Sequence, residues 1–224
     1  FICNSTMKFF IDTAEIEEIK SLADLGLVNG VTTNPSLIYK SGKDFKKVIT
    51  EIADIVDGPI SAEVTSTFGN EMIAQGIELS KISKNVVVKV PLTKEGLMAC
   101  KELNTRNIKV NVTLCFSTAQ ALLAGKLGAT YISPFVGRLD DISSSGLSLI
   151  KDIVKMYDIF KQDIKTEVLA ASIRSPLQVS QVALMGAHVA TIPPKIIYQM
   201  IKHPLTDSGL ETFMNDWKKT GQKF

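Results

Sequence analysis

Eight short apolar runs recur along the chain, separated by longer amphipathic stretches. The runs are rich in branched residues, which is typical of strands that a parallel sheet buries on both faces. One intervening stretch places Leu147, Ile150 and Ile153 on a single helical face. The runs lie at residues 8–12, 30–33, 60–64, 86–90, 109–113, 131–133, 167–171 and 189–191. Eight strands that alternate with helices predict an α/β fold, a single closed (β/α)8 barrel or TIM barrel.

The chain shows no internal boundary that would divide it into several domains. No Pro-, Gly- or Ser-rich linker interrupts its 224 residues, and typical barrels run to about 250 residues. An open, doubly wound sheet is the competing architecture. It is disfavoured because no G-x-G-x-x-G follows the first run and no G-x-x-x-x-G-K-[ST] occurs anywhere. We therefore predict one barrel domain over residues 7–224.

Two terminal segments lie outside the repeating pattern. Residues 1–6 precede Met7 and the first strand-like run, and we interpret them as a non-native or disordered extension. After His203, Phe213 and Trp217 lie four residues apart, which predicts an additional C-terminal helix with both side chains on one face. These two residues either pack on their own barrel or contact another subunit.

Composition limits the partners and the setting of the protein. The formal net charge is +2 and no long basic block occurs, so nothing indicates nucleic acid or an anionic membrane as a partner. No apolar run approaches the roughly 20 residues that span a bilayer. The three cysteines show neither a disulfide framework nor metal-ligand spacing, which favours a reducing, cytoplasmic setting and no metal site.

Lys89 is the residue that points most directly to chemistry. It lies within Val86-Val87-Val88-Lys89-Val90-Pro91, where burial would disfavour an ammonium group. A lysine kept partly neutral is a nucleophilic amine, which forms Schiff bases with carbonyl substrates. The alternative is a lysine at the end of the strand that reaches solvent on its flexible stem.

Polar residues accumulate where the predicted strands end, and in a barrel the carboxyl ends of the strands form the active-site face. Together with one aromatic residue, the set comprises Asp12, Thr32, Asn34, Glu63, Lys89, Asn111, Thr113, Ser133, Phe135, Arg138, Ser172 and Arg174. Some members have structural alternatives: Asp12 as a helix cap, Asn34 as a turn residue, Glu63 as the neutralising partner of Lys89, and Arg138 as an ion-pair partner of Asp140 or Asp141. Their convergence on one rim favours a functional site.

These residue types are those that aldol chemistry requires. A neutral amine attacks a ketone, and loss of water gives an iminium ion that withdraws electrons from the neighbouring carbon–carbon bond. A carboxylate and a hydroxyl can hold the water that carries the protons. Two arginines and a serine hydroxyl can bind a phosphate group. The set therefore predicts metal-free aldol chemistry on a phosphorylated sugar.

Six motifs resemble those of the transaldolase family, and the resemblance runs from Met7 onward. They are Phe9-Phe10-Ile11-Asp12-Thr13, Gly30-Val31-Thr32-Thr33-Asn34-Pro35-Ser36, Val87-Val88-Lys89-Val90-Pro91, Asn111-Val112-Thr113-Leu114, Ser133-Pro134-Phe135-Val136-Gly137-Arg138 and Ala170-Ala171-Ser172-Ile173-Arg174. The length is similar to that of the short subfamily, which holds transaldolases and fructose-6-phosphate aldolases. The resemblance implies no metal or organic cofactor, and a homo-oligomer that is a decamer of two pentamers or a pentamer.

The resemblance also implies a role for each matching residue. Lys89 is expected to be the Schiff-base nucleophile, Asp12 the acid/base at the carbon–carbon bond, and Glu63 with Thr113 the pair that holds the catalytic water. Two further groups bind the substrate. Asn34, Asn111 and Ser133, supported by Thr32, match the dihydroxyacetone site, and Arg138, Ser172 and Arg174 match the phosphate site.

Two positions bear on the reaction within the subfamily. Aldolase-type members generally carry Gln and Tyr where this chain has Glu63 and Phe135. The resemblance therefore implies a transaldolase, which moves a dihydroxyacetone unit between sedoheptulose 7-phosphate and glyceraldehyde 3-phosphate and gives erythrose 4-phosphate and fructose 6-phosphate. The alternative within this chemistry is a fructose-6-phosphate aldolase that releases free dihydroxyacetone.

Two further alternatives abandon the Schiff base. In a barrel isomerase or epimerase, Lys89 would act as a base or a phosphate contact without a covalent step. A sugar-phosphate binding protein or structural ring would keep the fold and lose the chemistry, but no residue of the set is missing from this chain.

Overall fold

The computed structural model describes residues 6–223 and has a closed barrel of eight parallel strands, so the predicted TIM barrel is confirmed. Strand order follows the chain, and the last strand pairs with the first. The strands are β1 Lys8–Asp12, β2 Gly30–Thr32, β3 Ile60–Glu63, β4 Val86–Pro91, β5 Val110–Cys115, β6 Tyr131–Pro134, β7 Glu167–Ala170 and β8 Val189–Ile192. Of the predicted extension at residues 1–6, residues 1–5 lie outside the described part of the chain.

Helices connect the strands and surround the barrel. Those of the described residues are α1 Ile16–Asp24, α2 Pro35–Ser41, α3 Phe45–Ile55, α4 Gly69–Ser80, α5 Lys94–Thr105, α6 Thr118–Lys126, α7 Val136–Asp140, α8 Gly146–Ile159, α9 Pro176–Leu184, α10 Pro194–Ile201 and α11 Pro204–Thr220. All eight predicted strands are present, with ends that differ by up to two residues. Within residues 6–223, none of the helices combines the length and the apolar character that a membrane span requires.

The barrel interior is closed by an inner cluster of apolar side chains. Phe10, Val87, Tyr131, Leu169 and Val189 point inward and are nearly inaccessible to solvent. The rings of Phe10 and Tyr131 meet edge to face with their centroids 5.7 Å apart, an arrangement that aromatic quadrupoles favour. A larger apolar cluster fills the layer between the strands and the helices.

A polar layer lies directly above the inner cluster. Because side chains alternate across a strand, residues two positions apart point to the same side. The polar residues follow accordingly: Asp12 after Phe10, Lys89 after Val87, Ser133 after Tyr131, and Thr191 after Val189. The same strands therefore supply an apolar floor and, one pleat closer to their carboxyl ends, a set of polar and ionisable groups.

The first helix begins later than the sequence indicates. Asp12 or Thr13 is a plausible N-cap from sequence, but α1 begins at Ile16 with Glu15 at the cap position. The Thr13 hydroxyl instead accepts a hydrogen bond from the Glu15 N–H over 3.2 Å and donates to Glu18 over 3.1 Å. The cap prediction for Asp12 is therefore wrong, and its carboxyl group faces the barrel. Thr93 and Ser117 cap α5 and α6 through their side chains.

The predicted C-terminal helix is present as α11, and within the described chain none of its residues is buried. Phe213 is 73% exposed, so the alternative that it packs on its own barrel is wrong. Leu205 and Leu210 are exposed as well, whereas Trp217 is partly buried. Contact between this helix and another subunit stays a prediction.

The two cysteines within the described residues are core thiols. Cys100 and Cys115 are buried and free, and burial raises the pKa of each thiol to about 12. Both therefore stay protonated at neutral pH and act as small apolar side chains.

Gly30 leaves room for the inner cluster, and we expect Gly30→Ala to destabilise the barrel. An added Cβ would lie 2.6 Å from Phe10 Cε1 and 2.7 Å from the Pro59 carbonyl oxygen. Overpacking of this kind costs about 1–3 kcal/mol, which urea unfolding would measure. The control is Gly209→Ala in α11, where a Cβ meets nothing within 4 Å and should be neutral or slightly stabilising. Equal effects of the two substitutions would contradict this prediction.

Candidate active site

A cavity of about 430 Å³ opens at the carboxyl ends of the strands. It is the place where a barrel builds its active site. The structure brings together at this cavity every sequence-predicted site residue except two: Asp12, Thr32, Asn34, Glu63, Lys89, Thr113, Ser133, Phe135, Arg138 and Ser172 line it. The two exceptions are Asn111, which lies below the lining, and Arg174, which lies outside it.

Lys89 lies at the floor of this cavity, inside the barrel. Its side chain is 8% exposed, so the alternative of a solvent-reaching lysine is wrong. Its Nζ atom lies 2.9 Å from Glu63 Oε2 and donates a hydrogen bond to the Thr33 carbonyl oxygen over 3.2 Å. Glu63 is the direct register partner of Lys89 across β3 and β4. Glu63 does neutralise a buried lysine, and the same contact places a proton acceptor beside the amine.

Asp12 faces Lys89 from β1 and is held by β2. Its Oδ1 accepts a hydrogen bond from the Thr32 hydroxyl over 2.8 Å, and the two residues are register partners. Burial raises the pKa of Asp12, and the charge of Glu63 adds to the rise. The Thr32 hydrogen bond and the charge of Lys89 oppose the rise without cancelling it. A carboxyl group of raised pKa in a cavity is a candidate proton-transfer group.

Asn111 is fixed in a fully buried hydrogen-bond network just beneath the cavity. Its Nδ2 donates to Ser61 Oγ over 3.1 Å, and its Oδ1 accepts from Ser133 Oγ over 2.7 Å. Asn111 and Ser61 are inaccessible to solvent, and Ser133 is 1% exposed. Asn111 therefore orients Ser133, which itself lines the cavity.

An irregularity in β5 aims Thr113 into the cavity. The register of β5 against β6 shifts between Val112 and Cys115, and Leu114 has a positive φ of 60°. Left-handed backbone is unfavourable for a leucine, and such strain is concentrated at functional sites. Within residues 6–223, Thr113 Oγ1 is a buried side-chain oxygen with no hydrogen-bond partner. Its hydroxyl is thus available to a bound ligand.

The two arginines have different surroundings. Arg138 lines the cavity, and its guanidinium carbon lies 4.8 Å from the centroid of the Phe135 ring, a cation–π contact. Arg174 forms a bidentate ion pair with Asp141, with 2.6 Å between Nη2 and Oδ2. The Arg174 hydrogen bonds lower the pKa of Asp141. Asp141 is thus the partner of Arg174, and the alternative that it pairs with Arg138 is wrong.

The absence of a side chain at Gly137 allows the Arg174 side chain to pass close to α7. A Cβ at this glycine would lie 2.5 Å from Arg174 Nε and 2.5 Å from the Ser172 carbonyl oxygen. Ser172, which lines the cavity, has a positive φ of 59°. This backbone geometry turns the chain after β7 so that Ser172 faces the cavity while Arg174 continues to the surface.

Asn34 combines a structural contact with a place in the cavity. Its Oδ1 accepts a hydrogen bond from the Leu37 N–H over 2.9 Å and caps α2. The sequence indicates that Asn34 is a turn residue before Pro35. In the structure it is instead the N-cap of α2, which begins at Pro35. Asn34 lines the cavity, and its Nδ2 group remains as a hydrogen-bond donor.

Eight further residues line the cavity that the sequence-based set does not include: Pro35, Ser36, Leu37, Lys40, Leu114, Leu169, Ala171 and Thr191. Thr191 could have been found by the same rule, because it lies near the end of the eighth strand. Lys40 in the last turn of α2 carried no such signal. Within the described chain, no group of three or more His, Cys, Asp or Glu side chains is arranged to hold a metal ion.

Asp12→Asn should raise the free energy of unfolding at about pH 7. A carboxyl group whose pKa is raised by folding destabilises the folded state once it is ionised. The higher proton affinity of Asp12 in the folded state stabilises the fold at pH values below the ordinary carboxyl pKa of about 3.9. This stabilisation is lost as the pH rises through the raised pKa of the folded state. The gain from Asn should therefore shrink between about pH 7 and about pH 4, as followed by urea unfolding at both values. Asp57→Asn, at an exposed position, is the control. A gain that grows toward low pH would refute the argument.

Known families and structures match this chain along most of its length. The profile of the Transaldolase/Fructose-6-phosphate aldolase family matches residues 9–224. A probable transaldolase of Parvibaculum lavamentivorans is 59% identical over 217 residues, which are 97% of this chain and 99% of the relative. A probable transaldolase of Clostridioides difficile is 58% identical over 217 residues, 97% of this chain and 100% of the relative. Thiamine phosphate pyrophosphorylase of Pyrococcus furiosus shares the fold alone, with a TM-score of 0.56 and 16% identity over 84% of this chain and 85% of the other. The chain belongs to the transaldolase/fructose-6-phosphate aldolase family.

Proposed function

We propose that the protein is a transaldolase that uses Lys89 as a Schiff-base nucleophile. It transfers a dihydroxyacetone unit between sedoheptulose 7-phosphate and glyceraldehyde 3-phosphate, and it forms erythrose 4-phosphate and fructose 6-phosphate. Family membership supports an enzyme of the transferase or aldolase type. The observation that carries the proposal is the amine of Lys89 at the cavity floor, 2.9 Å from the Glu63 carboxylate.

The first half of the reaction forms the Schiff base. Lys89 Nζ, once it has given a proton to Glu63, attacks the ketone carbon of the donor, and the carbonyl π electrons move to oxygen. The carbinolamine then loses its oxygen as water and leaves an iminium ion on Nζ. The protons travel through a water that Glu63 and Thr113 hold. The Thr113 hydroxyl, which lacks a partner within residues 6–223, supports this role.

The second half breaks the carbon–carbon bond. Asp12 accepts the proton of the hydroxyl group on the carbon beyond the iminium-bearing unit, that hydroxyl becomes an aldehyde, and the bond electrons move into the iminium to give an enamine. Transfer reverses these steps: the enamine carbon attacks the acceptor aldehyde, and Asp12 returns the proton to the new hydroxyl group. The raised pKa of Asp12 supports this role, because it brings the proton affinity of the carboxylate closer to that of a general base.

The polar groups around the amine suit a polyhydroxylated, phosphorylated substrate. Asn34 and Ser133, with Asn111 behind Ser133 and Thr32 behind Asp12, would bind the hydroxyl groups of the dihydroxyacetone unit. Arg138 and Ser172 line the cavity and would bind the phosphate group. Arg174 is paired with Asp141 at a solvent-exposed position, so a phosphate would have to replace that carboxylate. Such exposed pairs are weak enough to exchange.

Phe135 supports transfer over release of the three-carbon unit. Its ring lines the cavity and packs against Phe116, with 5.5 Å between the ring centroids. It offers no hydroxyl group that could protonate the enamine and release free dihydroxyacetone. The enamine then persists until an acceptor aldehyde arrives. The fructose-6-phosphate aldolase alternative predicts the opposite product ratio.

The proposal is tested by trapping the covalent intermediate. Borohydride reduction in the presence of fructose 6-phosphate should add one reduced dihydroxyacetone unit to Lys89, read by intact-mass analysis and peptide mapping. Erythrose 4-phosphate should deplete the adduct, because the acceptor removes the enamine. Lys89→Met should abolish the adduct and lower turnover by at least about 10⁴-fold, since it removes the nucleophile. Lys109→Met, at an exposed lysine, is the control. An unmodified wild-type protein that still turns over would indicate an isomerase or epimerase instead.

Phe135→Tyr should raise the release of free dihydroxyacetone relative to transfer. The added phenol lies at the cavity wall, where it can donate a proton to the enamine or to the water beside it. Coupled assays of free dihydroxyacetone and of sedoheptulose 7-phosphate would give the ratio, with an expected increase of about 10²-fold, the lower end of what a positioned proton donor contributes. Phe116→Tyr introduces a phenol beside Phe135 but outside the cavity lining and should leave the ratio unchanged. If the ratio moves equally in both variants, position 135 does not control it.

A further inference from the structure

A chain of three oxygen-bearing side chains crosses neighbouring strands at the cavity floor. Thr32 Oγ1 donates to Asp12 Oδ1 over 2.8 Å, and Thr191 Oγ1 lies 2.5 Å from Thr32 Oγ1. Thr32 and Thr191 are 2% and 4% exposed. Their strands β2 and β8 flank β1 on its two sides. Thr191 is thus linked to Asp12 through Thr32.

The chemistry of the groups fixes the direction of this chain. A hydroxyl group has one proton to donate, and a carboxylate can only accept. When Asp12 is ionised, it accepts a hydrogen bond from the Thr32 hydroxyl group. Because that hydroxyl has no second proton, Thr32 must accept its other hydrogen bond from Thr191. Each donor then polarises the next, and the bond to a charged acceptor gains the most from that polarisation. The Thr191 hydroxyl therefore favours the ionised carboxylate.

The charged groups that face Asp12 come from other elements. Lys89 on β4 favours the ionised form of Asp12, and Glu63 on β3 disfavours it. The other charged side chains that line the cavity are Arg138 on α7 and Lys40 on α2. A substitution at Thr191 changes none of these charges, so its effect on Asp12 can be separated from theirs.

We propose that Thr191 is a positioning residue whose hydroxyl fixes Thr32 as a donor to Asp12 and thereby sets the proton affinity of the Asp12 carboxyl group. The role of that carboxyl in turnover rests on the proposed function, whereas the hydrogen-bonded chain does not. Thr191 belongs to none of the six motifs that indicate the family.

The direct test follows the titration of Asp12 in Thr191→Val, which replaces the hydroxyl group by a methyl group of similar shape. In protein labelled with ¹³C at aspartate carboxyl groups, Asp12→Asn assigns the resonance. Thr191→Val should raise the pKa of Asp12 by about 0.5 unit, the scale expected for one weakened hydrogen bond. The acidic limb of kcat/KM should move to higher pH by the same amount with KM unchanged. Thr191→Ser, which keeps the hydroxyl group, should restore both.

A double-variant cycle tests whether Thr191 acts through Thr32. Thr32→Val should raise the pKa of Asp12 more than Thr191→Val does, and the double variant should show no further shift. An additional shift, or a rise of KM in both backgrounds, would mean that Thr191 acts directly on the carboxyl group or the substrate, and it would overturn the proposal. Thr166→Val is the matched control: this hydroxyl is equally buried and donates to the Ala129 carbonyl oxygen, so its loss should leave the Asp12 titration unchanged.

The titration readout separates this inference from the proposed function. A shifted Asp12 resonance in Thr191→Val, in a protein whose wild type transfers no dihydroxyacetone, would support the hydrogen-bonded chain and reject the proposed function. An unshifted resonance in an enzyme whose wild type does transfer the unit would reject the role of Thr191 and leave the proposed function in place.

Discussion

The buried ion pair between Lys89 and Glu63 is the interaction on which the polar layer of this barrel depends. An ammonium group inside an apolar strand is costly unless a counter-charge and a hydrogen-bond acceptor accompany it. The parallel register places Glu63 directly opposite Lys89, and the Thr33 carbonyl oxygen completes the contact. A second carboxyl group then faces the same amine, and burial raises the pKa of Asp12. Burial of the Asp12 carboxyl group thus destabilises the fold and, through the raised pKa, makes the same group a candidate proton acceptor.

The barrel separates stability from chemistry along each strand. One pleat of inward-facing residues is apolar and closed, and the next pleat carries the reactive groups. The outer faces of the same strands pack on the helices. The layers are rigidly connected, because a strand cannot move its reactive residue without moving the packed residue two positions before it. The amine and its partners are therefore held in place by side chains that are nearly inaccessible to solvent.

The sequence predicts the strands well because their period and branched residues are local signals, and the strand ends identify most of the cavity lining. What it misses depends on contacts between distant strands. The Asp12 cap is wrong because Thr13 and Glu15 form their own local turn, which the spacing does not show. The pairing of Arg174 with Asp141 requires the close approach that Gly137 permits. Thr191 on β8 contacts Thr32 on β2 past the intervening β1, an arrangement that exists only once β8 has paired with β1 and closed the barrel.

The edge-to-face rings of Phe10 and Tyr131 have a consequence for the order of events in a transfer reaction. With the other inner-cluster residues they seal the barrel below the reactive amine, so molecules enter and leave by the rim alone. In the proposed transfer reaction, the first aldehyde leaves through the same opening by which the second enters. The covalent enamine of that proposed reaction and this single entrance together predict double-displacement kinetics, whose signature is parallel rather than intersecting reciprocal plots.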